Sequence, residues 1–242
     1  MASLSSQDLY GGAIKAIIPE SWLDARSVNP CPAIKHPFQL TTSHSDLRQI
    51  PDHQELFLSR TTLSNLIYEI NERVSEETAL AALQSNPNSA ILGPNPGASP
   101  EFIDKAAALY HLNDIRDDDG DVMRVVTPQQ VTLQKLAGAR AYRGIVQMSS
   151  APAREGVAPS IGGAAAGSSA DGGLESSVSV HYLLVRLEEQ ETDILIFVNI
   201  PHKEFDEKGD PRGLSSEEEL ASQVIDGLIQ RFEIADWGLF GG

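Results

Sequence analysis

Apolar positions along the chain come in short clusters, and their spacing alternates between two residues and three to four. Residues 8–20, "DLYGGAIKAIIPE", predict an N-terminal strand, with an apolar, β-branched stretch over 13–18 that stops at Pro19. Leu56, Phe57 and Leu58, inside residues 52–60, predict another. In "LSNLIYEINERVS", residues 63–75, Leu63, Leu66, Ile67, Ile70 and Val74 recur at three- and four-residue spacing. That period predicts an amphipathic helix, capped by Thr61 or Thr62 and running to Asn86-Pro87. A second helix is expected from Ser99-Pro100 to residue 115, with Phe102, Ala106, Leu109 and Tyr110 on its buried side.

Further along, one or two short strands are expected in 122–134, on either side of Pro128, and another at 141–149. "SVSVHYLLVRLE" and "TDILIFVNIP", joined by the polar turn "EQE", carry the strongest strand pattern and predict a hairpin. A last helix is expected over 215–232, with Ser215 or Ser216 as its cap and Glu217 to Glu219 facing the positive end of its dipole. The aromatic tail that follows is expected to dock back on the domain. Hairpin-linked strands with segregated helices predict an α+β fold with a mainly antiparallel sheet. We expect a single domain over 1–242 with inserted loops at 27–46, 86–99 and 151–175. The third consists largely of Ala, Gly, Ser and Pro, without an aromatic residue, and cannot offset its own ordering entropy. Gly11 and Gly12 are expected to serve the backbone, through positive φ or close strand approach.

Charge narrows the choice of partners. With 18 basic and 34 acidic residues the formal net charge is −16. Such a field repels nucleic acid and anionic membranes and favours a partner with a basic patch. The longest strongly apolar run, "ILIFV", is far too short to cross a bilayer. Neither a basic stretch nor an apolar core marks "MASLSSQDLYGG" as a secretory signal, and the single Cys31 can make no internal disulfide. A reducing compartment, the cytosol or nucleus, is expected.

Catalytic patterns are sparse. No glycine run has the frame of a phosphate loop or a dinucleotide fingerprint. No histidine pair has the i, i+4 spacing of a helical zinc site, and "RDDDGD" at 116–121 lacks the alternating ligands of a calcium loop. No metal or cofactor is expected. Asp24, Asp52 and Glu55 could act as general acids or bases, so an unrecognised hydrolase stays as an alternative. On the expected helix over 63–75, Glu69, Glu72 and Glu76 fall together opposite the apolar stripe. Such a cluster is either a solvated face or a docking surface for something basic.

"LYGGAIKAIIPESWLDAR", "RQIPDHQELFLS", "TLSNLIYEINERV" and "TDILIFVNIP" occur in this order, and together they resemble the Ran guanine nucleotide release factors, the Mog-one family. The resemblance implies a single α/β/α sandwich of the kind shared with PsbP proteins. It also implies a non-enzymatic regulator that binds the GTPase Ran, promotes nucleotide release, GTP before GDP, and supports nuclear protein import. The implied setting is the nucleus and cytoplasm, and the expected state is a monomer. Two acidic positions of the family's Ran-facing helix match Glu69 and Glu72. Asp24 in "WLDAR" and Asp52 and Glu55 in "PDHQE" match further acidic surface positions. A PsbP-like binding protein unrelated to Ran is the remaining alternative.

Overall fold

The computed structural model describes residues 3–27, 50–93, 99–115, 122–150 and 176–241. Eleven strands and four helices are assigned among them. Two strands, β1 (Leu4–Leu9) and β2 (Ile14–Pro19), meet in a tight turn, and β3 (Leu23–Asp24) follows. Then come β4 (Gln54–Leu58), β5 (Asn65–Glu72), α1 (Glu76–Leu83) and α2 (Pro100–Asp114). Short strands β6 (Val122–Val125) and β7 (Gln129–Val131) precede the long β8 (Arg140–Ser150), β9 (Ser176–Leu187) and β10 (Thr192–Pro201). The chain continues through α3 (Lys203–Lys208), α4 (Pro211–Arg231) and β11 (Glu233–Ile234).

Strands β3-β4-β5-β10-β9-β8-β6 form the main sheet in that order, with β7 also on β8, and every pairing is antiparallel. A small second sheet runs β1-β2-β11. Side chains alternate across a strand, so each strand of the main sheet feeds two cores. One face carries Phe57, Leu66, Leu183, Val185, Ile194 and Ile196, packed on Ile14 and Ile17 of β2 and on Val224 and Leu228 of α4. The other carries Val180, Tyr182, Leu184, Leu195 and Phe197 under Leu109 and Leu112 of α2. The result is the expected α/β/α sandwich on a mainly antiparallel sheet.

Two expectations are corrected. The helix expected from residue 61 to Asn86-Pro87 is instead β5 followed by the short α1. β5 lies between β4 and β10 with both faces covered, Leu66 and Tyr68 on one side and Ile67 on the other. Burial on both faces replaces the alternation of a half-buried strand with a near-continuous apolar run, which here imitates a helical period. The helix itself starts at Ser75, whose hydroxyl accepts from Thr78 N–H at 3.1 Å. Likewise α4 begins at Pro211, capped by Asp210, whose carboxylate accepts from Gly213 N–H at 2.9 Å. Ser215 and Ser216 instead donate to the carbonyls of Pro211 and Arg212. Proline at the first helical position lacks only a hydrogen bond that this position would not make. β1, β3 and α3 lie outside the expected elements.

The paired glycines behave as expected, at φ 68° for Gly11 and 97° for Gly12. The expected α2, β4, β8, the β9–β10 hairpin and the tail docked through β11 are all present. The loop expected at 86–99 holds a turn of 3-10 helix at Ser89–Leu92. Residues 28–49, 94–98, 116–121 and 151–175 lie outside the described residues, and with them most of the first expected loop and all of the third.

Candidate functional site

Of the five acidic residues that the resemblance matches, Asp24, Glu55, Glu69 and Glu72 lie on β3, β4 and β5, and Asp52 lies in the turn before β4. Glu69 stands opposite Gln54 on β4 and Leu195 on β10, and Glu72, the last residue of β5, stands opposite Thr192. Three residues apart on a strand, they project from opposite faces rather than side by side as on a helix. Glu69 is half-buried and Glu72 exposed. Asp52 is exposed beside them, because Ile70 N–H donates to the His53 carbonyl at 2.9 Å. Asp24 lies one strand further out, where its carboxylate accepts from Arg26 N–H at 2.8 Å.

Glu55 departs from the surface expected of it. It is 7% exposed, and its Oε1 accepts from Tyr10 N–H at 3.1 Å and from the Arg26 guanidinium at 3.3 Å. Its partner Tyr68 on β5 points into the core, and the same face of the ladder carries Glu55 inward with it. Glu55 therefore ties the turn after β1 to β4. Tyr10, in that turn, reaches the carbonyls of Tyr68 at 2.9 Å and His53 at 3.0 Å with its hydroxyl. Burial first, then the nearby Glu55 and Glu69 carboxylates, push its ionisation well above the ordinary tyrosine range against the pull of Arg26. It stays a neutral donor that braces the edge carrying Glu69.

After Glu72 the chain turns sharply into α1. Glu76 and Glu77 occupy the exposed first turn of that helix, and Arg73 N–H donates to the carbonyl of Glu191 in the β9–β10 turn at 2.8 Å. Acidic groups thus line one end of the sheet from Asp52 through Glu72 to the start of α1.

Sequence reasoning missed a buried charge network just behind this end. Arg186 of β9 contacts Asp193 through Nε at 2.9 Å and Asp104 of α2 through Nη1 at 2.7 Å. Its Nη2 donates to the Val74 carbonyl at 2.5 Å. Asp193 accepts in turn from Val74 N–H at 3.0 Å and pairs with His111 of α2 at 2.9 Å. Asp104 also takes the Tyr142 hydroxyl at 3.0 Å and Arg140 at 2.8 Å. Burial pushes the Asp193 carboxyl up, yet hydrogen bonds from His111, Val74 N–H and Arg186, with the guanidinium charge, outweigh it and hold it below the usual range. The only sequence signal was Arg186 and Asp193 beside the apolar stretches "YLLV" and "ILIFV" of the two strands.

A second polar cluster sits on the opposite face. Glu218 of α4 pairs with His181 at 2.6 Å and faces His202 at 3.5 Å, while Ser179 lies 2.8 Å from His202 Nε2. This is no serine–histidine–acid relay: Ser179 is 1% exposed, and the other imidazole nitrogen of His202 meets Ser177 rather than a carboxylate. Among the described residues no group of three or more His, Cys, Asp or Glu is placed to hold a metal ion, and no helix is long and apolar enough to cross a membrane.

Known proteins extend this picture. Residues 33–201 match the family model described as Ran-interacting Mog1 protein. The Ran guanine nucleotide release factor of Bos taurus is 27% identical over 208 residues, 86% of this chain and 81% of its own length. The nuclear import protein MOG1 of Saccharomyces cerevisiae is 24% identical, covering 96% and 83%. The crystal structure of the S. cerevisiae Ran-binding protein MOG1P superposes with a TM-score of 0.56 at 20% identity, over 99% of this chain and 100% of that one, which establishes the shared fold. By fold and by sequence, the chain belongs to the Ran-interacting Mog1 protein family.

Proposed function

We propose that the protein binds the GTPase Ran and promotes release of its guanine nucleotide, GTP before GDP, in support of nuclear protein import. The observation that carries this reading is the family match over residues 33–201. The acidic end of the sheet supplies the chemistry. A GTPase holds nucleotide with a lysine, backbone N–H groups and Mg²⁺, all positive toward phosphate. Glu69, Glu72 and Asp52 present carboxylates to such basic groups, with Asp24 at the rim and Glu55 holding the edge from behind. A net charge of −16 steers the protein toward a basic surface. Preferential binding to the empty GTPase weakens its hold on nucleotide by the same factor, since the coupling is reciprocal. The release is non-covalent and draws on no cofactor. The protein acts as a monomer in nucleus and cytoplasm, without nucleic acid or membrane as partner.

The test is the release rate of a fluorescent guanine nucleotide from purified Ran with and without the protein. Glu69→Lys and Glu72→Lys are then compared singly, because the two project from opposite faces of β5. A desolvated charge pair that loses a partner costs about 2–5 kcal/mol, or at least roughly thirtyfold in affinity. We expect that loss for Glu72→Lys and for Glu69→Lys alike. Release that does not accelerate on adding the protein refutes the proposal.

A further inference from the structure

Resting on the reading above, we infer that Arg186 and Asp193 are positioning residues for Glu72, coupling the helix layer to the acidic end of the sheet. β5 leaves the ladder at Glu72. Two residues later Val74 has no strand partner, and side chains satisfy both of its backbone groups. Its N–H goes to Asp193 at 3.0 Å and its carbonyl to Arg186 at 2.5 Å. Between them, Arg73 N–H is held by the Glu191 carbonyl. The direction in which Glu72 and the first turn of α1 leave the sheet is therefore fixed by two side chains from β9 and β10.

Those two are themselves fixed from α2, through Asp104 on Arg186 and His111 on Asp193. Asp104 and Asp193 are fully buried and Arg186 is 1% exposed. A buried ion network is no cheaper than apolar side chains of the same volume. What apolar side chains could not supply here is a donor and an acceptor aimed at one peptide unit. The sandwich thus carries a rigid polar link from α2 to the place where the partner would bind, and a carboxylate held within a fixed geometry binds more tightly than one on a free turn.

The test is a double-mutant cycle. Affinity for nucleotide-free Ran is measured for Asp193→Asn, Glu72→Gln and the double variant, each shown folded by circular dichroism at the assay temperature. Each single variant should lose affinity by about tenfold, and the double variant should be no more than about twofold weaker than Glu72→Gln alone. A network that merely supports the fold would not make its effect depend on Glu72. Losses that multiply, or an Asp193→Asn protein that binds normally, overturn the positioning role and leave the Ran reading standing. Glu72→Gln without effect overturns both the placement of the contact and this inference. If Asp193→Asn does not fold, His111→Leu removes one partner of the same carboxylate and runs the same cycle with the same outcomes.

Discussion

Removing one oxygen atom from a buried tyrosine should have opposite effects at two positions of this sheet. Tyr68 and Tyr182 are both fully buried. The Tyr68 hydroxyl donates to the Ile17 carbonyl at 2.5 Å and so joins the main sheet to β2. Tyr182 lies across Gly144 on the neighbouring strand, so closely that a Cβ there would sit 2.6 Å from its hydroxyl oxygen. That hydroxyl has no partner among the described residues, and burial alone pushes its ionisation upward. Tyr68→Phe strands a buried carbonyl and should cost about 1–2 kcal/mol. Tyr182→Phe removes an unpaired polar atom from an apolar cluster, whose burial costs about 1–3 kcal/mol, and should stabilise the protein. For a domain this size each kcal/mol moves Tm by about 2–4 °C, so the two variants should melt on opposite sides of the wild type. Calorimetry, with urea unfolding to confirm an unchanged m-value, reads both. A Tyr182→Phe protein that melts as low as Tyr68→Phe would refute the assignment of an unsatisfied hydroxyl and the packing argued from it.

Two more outcomes can be stated. Burial raises the Glu218 carboxyl, but hydrogen bonds from His181, His202 and Ser179 outweigh it and hold the group well below the usual range. A depressed carboxylate stabilises the fold above its unfolded value and loses that contribution as pH falls through its folded one. Urea midpoints should therefore drop for the wild type as pH falls below about 4.5, and Glu218→Gln should flatten that limb; an unchanged acid limb would refute the pairing. Asp210→Ala should cost about 1 kcal/mol in thermal unfolding, while Ser215→Ala and Ser216→Ala should change little, because the cap lies at the earlier residue.

The sandwich was legible wherever one face of an element meets water or a turn residue breaks the chain. The hairpin of β9 and β10, the short strands around Pro128 and α2 with its Ser99 cap all follow from such signals. β5 was not, because burial on both faces removes the difference between the two periods. The acidic residues were found, yet their geometry was not: Glu69 and Glu72 share a helical face only if the segment is a helix, and as strand neighbours they part. Glu55 looks like Asp52 in sequence, and only its ladder partner Tyr68 shows that it turns inward. The Arg186 network was invisible because its bonded partners lie between 7 and 119 residues apart along the chain and no local pattern joins them.

The ladder between β8 and β9 holds register from Arg140 opposite Arg186 to Ser150 opposite Ser176. Both strands are thus fixed up to the very ends of the segment 151–175. The Ala, Gly, Ser and Pro of residues 151–175 lead us to expect a closure cost that scales only with the logarithm of length, about 1.4 kcal/mol for a fivefold change. β8 and β9, which flank this segment, lie beyond β10 in the sheet order, separated by β10 from β4 and β5. We therefore expect residues 151–175 to tolerate changes of length at small thermodynamic cost, without disturbing the ladder that carries the acidic edge.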